Sequence, residues 1–478
     1  MFIGRKLELA ELRQLQNKRT SSLVCIMGRR RIGKSSLIKE FSKNFTHYIE
    51  IQGLGPSEGG SLREQLDHFS DELSKCTGNR QVHFKNWNAA LTALAEASKH
   101  GKYLIMLDEI SWMARGDPLF PSRLKSAWDT QLKHNPKLIL VVCGSVSSWI
   151  SDNILKSANF EGRISLQIRL IGLSLQEINK FWESNNYRFS LWEKILILSI
   201  TGGVPKYLEE LSQIEGGESS IFDMCFAPNK ILFNDYEKIF QEIFGRRTKT
   251  LEKIVRLCLY KKYGLAELAG KLKIEQSGEL TSLIEILELS GFMARDYYFN
   301  PEGKVSKLSH LRVSDNYLRF YLKYIEPEKA RILKGGKAIK SSYDLQNFDS
   351  MLGLQFENLV LANREQLYAP LDLTMQKIIS AAPHVQRKGT LNKGGCQIDL
   401  LIHTTLDVFF LCEIKGKKVI DASVIKEVKK KMEILSVPKR TAVKPVLVYA
   451  GALAEVAEDE IRRFFYKVVS VEELFVGG

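Results

Sequence analysis

The stretch Gly28-Arg29-Arg30-Arg31-Ile32-Gly33-Lys34-Ser35 has the spacing G-x-x-x-x-G-K-S, in which the backbone N–H groups of a glycine-rich turn converge on phosphate oxygens. Leu23 to Met27 ahead of it is an apolar run that predicts a short buried strand, and Ser36 to Phe41 behind it has the apolar spacing of a helix. A turn between strand and helix sets the positive end of the helix behind a bound anion. Lys34 then reaches the β- and γ-phosphates of a nucleotide, expected to be ATP, and Ser35 ligates Mg2+. Gly28, Arg31, Ile32, Gly33 and Ser36 complete the expected lining. The alternative is a chance match in an ordinary strand–turn–helix.

Tyr103-Leu104-Ile105-Met106-Leu107-Asp108-Glu109 is an apolar run that ends in two acids. As a buried strand of a parallel sheet it delivers both carboxylates to the carboxyl edge, where ligands bind in such sheets. Asp108 is expected to hold magnesium and Glu109 to orient or activate the attacking water. Two further residues are candidates for the same site. Ser145 follows the apolar run Leu138 to Cys143 and is placed to sense a γ-phosphate, with a plain turn as the equal alternative. Arg163 is a candidate arginine finger, against the reading of a simple surface charge.

A second chemistry is written near the C-terminus. Gln397-Ile398-Asp399-Leu400-Leu401-Ile402 opens a predicted strand with an acid, and Val408 to Lys415 is a second one carrying Glu413 and Lys415. Residues two apart on a strand point the same way, so Glu413 and Lys415 share a face. An aspartate on the paired strand can join Glu413 at one divalent ion, with Lys415 beside the attacking water, which is the arrangement that phosphodiester hydrolysis needs. Glu357 stands on a predicted helix with Leu352, Phe356, Leu359 and Val360 on its apolar face, and is the fourth candidate. The bland alternative makes Asp399 a turn acid and Glu413–Lys415 an ordinary ion pair.

Positioning these groups takes three units. Residues 1–215 read as an α/β unit with strands at 23–27, 47–51, 103–107 and 138–143, an alternation that implies a parallel sheet with helices on both faces. Residues 216–335 are mainly helical, and a hairpin around 291–299 after three helices describes a winged helix-turn-helix. Residues 345–478 supply the last strands and a helix marked by Val424, Ile425, Val428, Met432 and Leu435. The formal charge is +14, and the stretch 411–440 holds nine Lys/Arg against four acids. Such a surface favours a polyanionic partner, most simply DNA, although a Lys-rich run is also how a solvated helix face looks. No apolar run is long enough to span a bilayer, and the seven cysteines have no C-x-x-C or zinc spacing. A cytoplasmic protein with reduced cysteines and no membrane partner is expected.

The chain resembles the archaeal-type AAA+-like P-loop ATPases in four segments: Phe2-Ile3-Gly4-Arg5, Gly28 to Ser35, Leu107-Asp108-Glu109, and Gly202-Gly203-Val204-Pro205-Lys206-Tyr207-Leu208. The resemblance implies that Ile3, Arg5 and Pro205 lie near the adenine. The C-terminal part is similar to the PD-(D/E)xK nucleases, with Glu357, Asp399, Glu413 and Lys415 on the motif positions, which implies a restriction-endonuclease-like α/β fold. No proline stands directly before Asp399. The Arg29–Arg31 insert is unusually basic, and Lys206 replaces an arginine at what the resemblance makes a second sensor. Assembly into a homo-oligomer is therefore an open expectation. Three functions are expected as alternatives: an ATPase coupled to a Mg2+-dependent DNA nuclease, serving defence or mobile-element DNA processing; a nucleotide-switched DNA-binding regulator with a non-catalytic nuclease-like domain; and a chaperone-like ATPase acting on protein.

Overall fold

The computed structural model describes residues 2–55, 60–145, 147–211, 217–244, 247–299, 304–373, 378–386 and 394–476. The chain packs as two compact units. The first comprises 1–172 together with Ile239–Thr248 and Glu285–Gly291, and the second the remainder.

The first unit is built on a parallel sheet of β1 (Ser22–Met27), β2 (His47–Gln52), β3 (Tyr103–Asp108), β4 (Leu138–Gly144) and β5 (Ile164–Arg169), in the order β2-β3-β4-β1-β5. Every residue of β1 and β4 is buried, which is why these strands read as continuous apolar runs rather than alternations. Helices Leu62–Thr77, Trp87–Ala97 and Phe120–Thr130 contribute Leu66, Phe69, Trp87, Leu91, Phe120 and Leu124 to one core with Leu23, Ile105 and Leu140. Because the strands run parallel, Met27, Asp108 and Gly144 finish at the same edge of the sheet.

In the second unit, β6 (Tyr263–Gly264), β7 (Met293–Phe299) and β8 (Val305–Val313) form an antiparallel sheet in the order β6-β8-β7. Helices Thr248–Leu257, Leu265–Leu272 and Gly278–Leu289 precede the β7–β8 hairpin in the chain, with Thr248 and the last turn of the third belonging to the first unit. A larger mixed sheet follows: β9 (Ile378–Gln386), β10 (Cys396–Thr404), β11 (Val408–Ile420), β12 (Ala442–Leu453) and β13 (Lys467–Ser470), in the order β13-β12-β11-β10-β9. Its β9–β11 half is antiparallel and its β11–β13 half parallel. The parallel connections are made by helices Ser423–Ile434 and Glu455–Phe464, whose Val424, Ile425, Val428 and Ile461 pack on Ile398, Leu411 and Leu447.

β11 bulges against β12 between Gly416 and Val419, and the bulge depends on Gly451. This residue has φ +96°, and a Cβ there would lie 2.0 Å from the Lys417 carbonyl oxygen. Gly451→Ala should therefore lower stability by about 3 kcal/mol or more, adding a backbone clash to an unfavourable dihedral. Urea unfolding followed by circular dichroism checks this, and an unchanged midpoint would refute it.

Among the described residues, no helix is long and apolar enough to cross a membrane. All seven cysteines are free thiols, and Cys25, Cys143, Cys225, Cys258 and Cys412 are buried.

Candidate functional site

The phosphate loop follows β1 and ends at Gly33, whose φ of 92° caps the helix Lys34–Ser42 without any side-chain hydrogen bond. The first-turn N–H groups of that helix are thus left for a ligand rather than a capping oxygen. At Gly28 the backbone passes so close to its neighbours that a Cβ would lie 2.7 Å from the Leu170 oxygen. Leu37, Ile38 and Phe41 bury the far side of the helix and fix its direction, while Ser36 faces out.

Lys34 Nζ, 6 % exposed, donates to the carbonyls of Gly28 (3.0 Å) and Arg29 (3.3 Å). The side chain thus folds back over the loop that precedes it. Ser35 Oγ donates to Asp108 Oδ2 at 2.8 Å. Two hard oxygens held together in this way fit a magnesium ion. Asp108 Oδ1 accepts from Glu109 N (2.9 Å) and from Cys143 Sγ (3.0 Å). Burial, reinforced by the Asp108 charge, pushes the Cys143 thiol well above its ordinary pKa, so it stays a neutral donor.

Glu109 has φ 48° and ψ 50°, a left-handed backbone that costs a non-glycine residue about 1–2 kcal/mol. The turn aims its buried carboxylate across to β4, where Oε2 accepts from both the backbone N and Oγ of Ser145, each at 2.9 Å. Ser145, read from the sequence either as a γ-phosphate sensor or as part of a plain turn, thus holds the Glu109 carboxylate. Arg5, also left-handed and 4 % exposed, donates from Nη2 to the carbonyls of Ile32 (3.1 Å) and Ile171 (2.6 Å). It thereby ties the start of the helix Lys6–Leu15 to the phosphate loop, with Arg31 (φ 69°) beside Ile32 in that loop. Ile3 lies outside regular structure just ahead of this helix. Pro205 opens the helix Pro205–Leu211 in the second unit, after Gly202 and Gly203, both at positive φ.

Arg163 is engaged within its own unit. Its Nε and Nη2 clasp Asp129 at 2.9–3.1 Å, and chiefly this hydrogen bonding holds the Asp129 carboxyl down at about 2. A finger role would require this clasp to open.

The C-terminal candidates meet in a cleft of about 640 Å3, whose walls include Glu357, Asp399, Glu413, Lys415, Lys417, Glu427 and Lys431. The β10–β11 ladder ends at the pair Leu400–Cys412. Beyond it the Asp399 side chain takes over the pairing, and its Oδ2 accepts from Ile414 N at 2.9 Å. This brings Asp399 alongside Glu413. Desolvation, then the charges of Glu413 and Glu357, push Asp399 up to about 7. Glu413 is fully buried and is itself raised, mainly by that burial.

Two lysines answer the buried Glu413. Lys415 Nζ lies 2.8 Å from its Oε1, and Lys431 Nζ 2.6 Å from its Oε2. Both ammonium groups also reach Glu427, at 2.8 and 3.1 Å, closing a four-membered ring of charges. Burial acts to raise Glu427, but the hydrogen bond from Lys415 and the charge of Lys431 hold it down at about 2. Glu357 is paired instead with Lys262, at 2.6 Å. Lys431 and Glu427 are the residues that sequence reasoning missed as site members. Their four-residue spacing on one helix was the available signal. Among the described residues, no group of three or more His, Cys, Asp or Glu is gathered as a metal cluster; Asp399 and Glu413 form a pair of carboxylates on adjacent strands. Carboxylate oxygens are the ligands that suit Mg2+.

Residues 2–211 match the family model described as an ATPase domain predominantly from Archaea. An uncharacterized protein of Methanocaldococcus jannaschii is 24% identical over 369 residues, covering 75% of this chain and 76% of that one. An uncharacterized ATP-binding protein of the same organism is 46% identical over 44 residues, 9% of this chain and 75% of that one. Among solved structures, a Walker-type ATPase of Pyrococcus abyssi aligns with a TM-score of 0.44 at 16% identity, over 67% of this chain and 96% of that one. The ORC2 protein of Aeropyrum pernix, in ADPNP–ADP complexes, aligns with a TM-score of 0.42 at 15% identity, over 70% and 95%. With the family match spanning the phosphate loop, Asp108 and Glu109, residues 2–211 are an ATPase domain of the archaeal type.

Proposed function

We propose that the chain hydrolyses ATP with Mg2+ in its N-terminal domain and that this turnover controls Mg2+-dependent cleavage of DNA in the cleft of the mixed sheet. In the ATP site, Lys34 and the loop amides hold the β- and γ-phosphates, Ser35 and Asp108 hold the metal, and Glu109, steadied by Ser145, orients the attacking water. When bound with nucleotide, magnesium supplies charge neutralisation on the phosphates. Ile3 and Arg5 are assigned to the adenine end, and Arg163 to a neighbouring nucleotide should the chain form a homo-oligomer. The helices and hairpin of 248–313 are proposed as a winged-helix DNA contact.

The observation that carries the nuclease assignment is the meeting of Asp399 and Glu413 beside Lys415 at the wall of a cleft lined by four lysines and five carboxylates. Asp399 and Glu413 hold the metal there. Lys415 stabilises charge on the scissile phosphate or positions the water, and Glu357 supports the site from its helix. One specific observation favours a second reading, a nucleotide-switched DNA-binding regulator: both oxygens of Glu413 already face ammonium groups, so the ring is neutralised without a metal.

Incubating the protein with plasmid and with single-stranded DNA, with and without ATP and Mg2+, separates the two. Cleavage that requires Mg2+ supports the nuclease, whereas salt-sensitive binding without cleavage supports the regulator. For the ATP site, Glu109→Gln keeps the shape of the side chain but loses the carboxylate. It should retain nucleotide affinity while phosphate release falls by about two orders of magnitude. Phosphate release and fluorescent-nucleotide binding read the two effects separately, and a wild-type rate would remove Glu109 from the mechanism.

A further inference from the structure

Lys431 is absent from the D…E-x-K pattern, stands on a helix rather than on the motif strand, and nevertheless makes a 2.6 Å contact to Glu413. Its side chain is only 15% exposed, and it opens onto the same cleft as Asp399. A magnesium ion bound by Glu413 would stand about 2.0–2.1 Å from a carboxylate oxygen. Lys415 sits on Oε1 of Glu413 and Lys431 on Oε2, so a divalent cation taking Oε2 would meet strong repulsion from the Lys431 ammonium on the same oxygen. The structure offers Lys431 somewhere to go. Glu427 Oε1 is 3.1 Å away, four residues earlier on the same helix, and Glu427 also holds Lys415. The groups that face Lys431 are therefore Glu413, Asp399 and Cys396 from the sheet, Glu427 from its own helix, and Lys415 across the ring.

We propose that Lys431 is a second active-site lysine that holds the place of the divalent cation on Glu413. On metal binding it shifts onto Glu427 and there faces the phosphate of the nucleic acid. Glu427 acts as a positioning residue that keeps the displaced ammonium in the cleft. This rests on the Asp399–Glu413 metal site proposed above and adds the exchange of ammonium for cation. The same exchange accounts for a ring that is neutral without metal in a site built to use one.

The test is Mn2+ binding to the full-length, nucleotide-free protein, with free Mn2+ followed by its electron paramagnetic resonance signal. Lys431→Met should bind Mn2+ about tenfold more tightly than wild type, because a competing positive charge on Glu413 is gone. Its DNA cleavage should nonetheless fall, mainly through a higher KM. Lys431→Gln, which keeps a hydrogen-bond donor without the charge, should shift Mn2+ affinity in the same direction and serves if the methionine variant fails to fold. Glu427→Gln should weaken Mn2+ binding, since Lys431 loses its alternative partner. Unchanged or weaker affinity in both Lys431 variants, with Asp399→Asn still abolishing the site, would overturn the exchange and leave the metal site standing. Wild-type Mn2+ binding in Asp399→Asn would overturn both.

Discussion

Lys34→Ala should abolish ATP turnover, with phosphate release at least about a hundredfold below wild type and fluorescent-nucleotide affinity lost alongside. Lys34 is buried over the loop and donates to the Gly28 and Arg29 carbonyls, so it is already within a side-chain rotation of any phosphate that the loop amides bind. Alanine removes that charge and leaves the loop geometry to Gly28 and Gly33. The effect differs from that of Glu109→Gln, because binding and hydrolysis fall together rather than separately. Fluorescence anisotropy with a labelled ATP and a coupled phosphate assay give both numbers. Wild-type turnover in Lys34→Ala would refute the assigned roles of the loop.

Asp399→Asn should eliminate DNA cleavage, by about three orders of magnitude or to background, while ATP hydrolysis is retained. The asparagine can still accept from Ile414 N, as Asp399 Oδ2 does, so the strand end is kept and only the anionic ligand is lost. Stability should move the other way. Asp399 is raised to about 7 by desolvation and then by the Glu413 and Glu357 charges. A carboxyl whose folded pKa is raised stabilises the fold when protonated, and that stability is lost as the pH climbs through the folded value. Asp399→Asn should therefore melt at a higher temperature than wild type at pH 8, with the gap closing as the pH falls toward about 4. A melting temperature that is equal or lower at pH 8 would contradict the buried repulsion. Gain of stability with loss of activity is the usual sign of a residue kept for function.

Three of the four strands legible in the first unit share a physical cause; the fourth, β2, is an edge strand whose residues alternate in burial. β1, β3 and β4 lie within a parallel sheet and are apolar on both faces, so they announce themselves as continuous runs, and their ends place Gly28, Asp108 and Gly144. β5 escaped because Ile164, Leu166 and Ile168 alternate with polar residues on a strand at the sheet edge. β9 escaped because Pro383 argues against a strand, and it too is an edge strand, where proline is tolerated. Side-chain pairing was harder to read than strands. Nothing in the order of residues says that Arg163 meets Asp129, 34 positions away, or that Ser145 holds Glu109. The Lys-rich run after Glu413 reads equally well as a solvated face. Only the packing of the helix Ser423–Ile434 on β10 and β11 turns Lys431 inward, while Lys429 and Lys430 stay exposed.

Parallel assays on wild type, Glu109→Gln and Asp399→Asn test most directly the claim that one chain carries two separate hydrolytic sites. Each protein is given ATP, Mg2+ and labelled DNA, and both phosphate release and strand cleavage are followed, with EDTA as the control. The expected result is that Asp399→Asn loses cleavage and keeps phosphate release, that Glu109→Gln loses phosphate release, and that wild-type cleavage stops in EDTA. Cleavage by Asp399→Asn at the wild-type rate, or no Mg2+-dependent cleavage by wild type on plasmid or single strands, would contradict it.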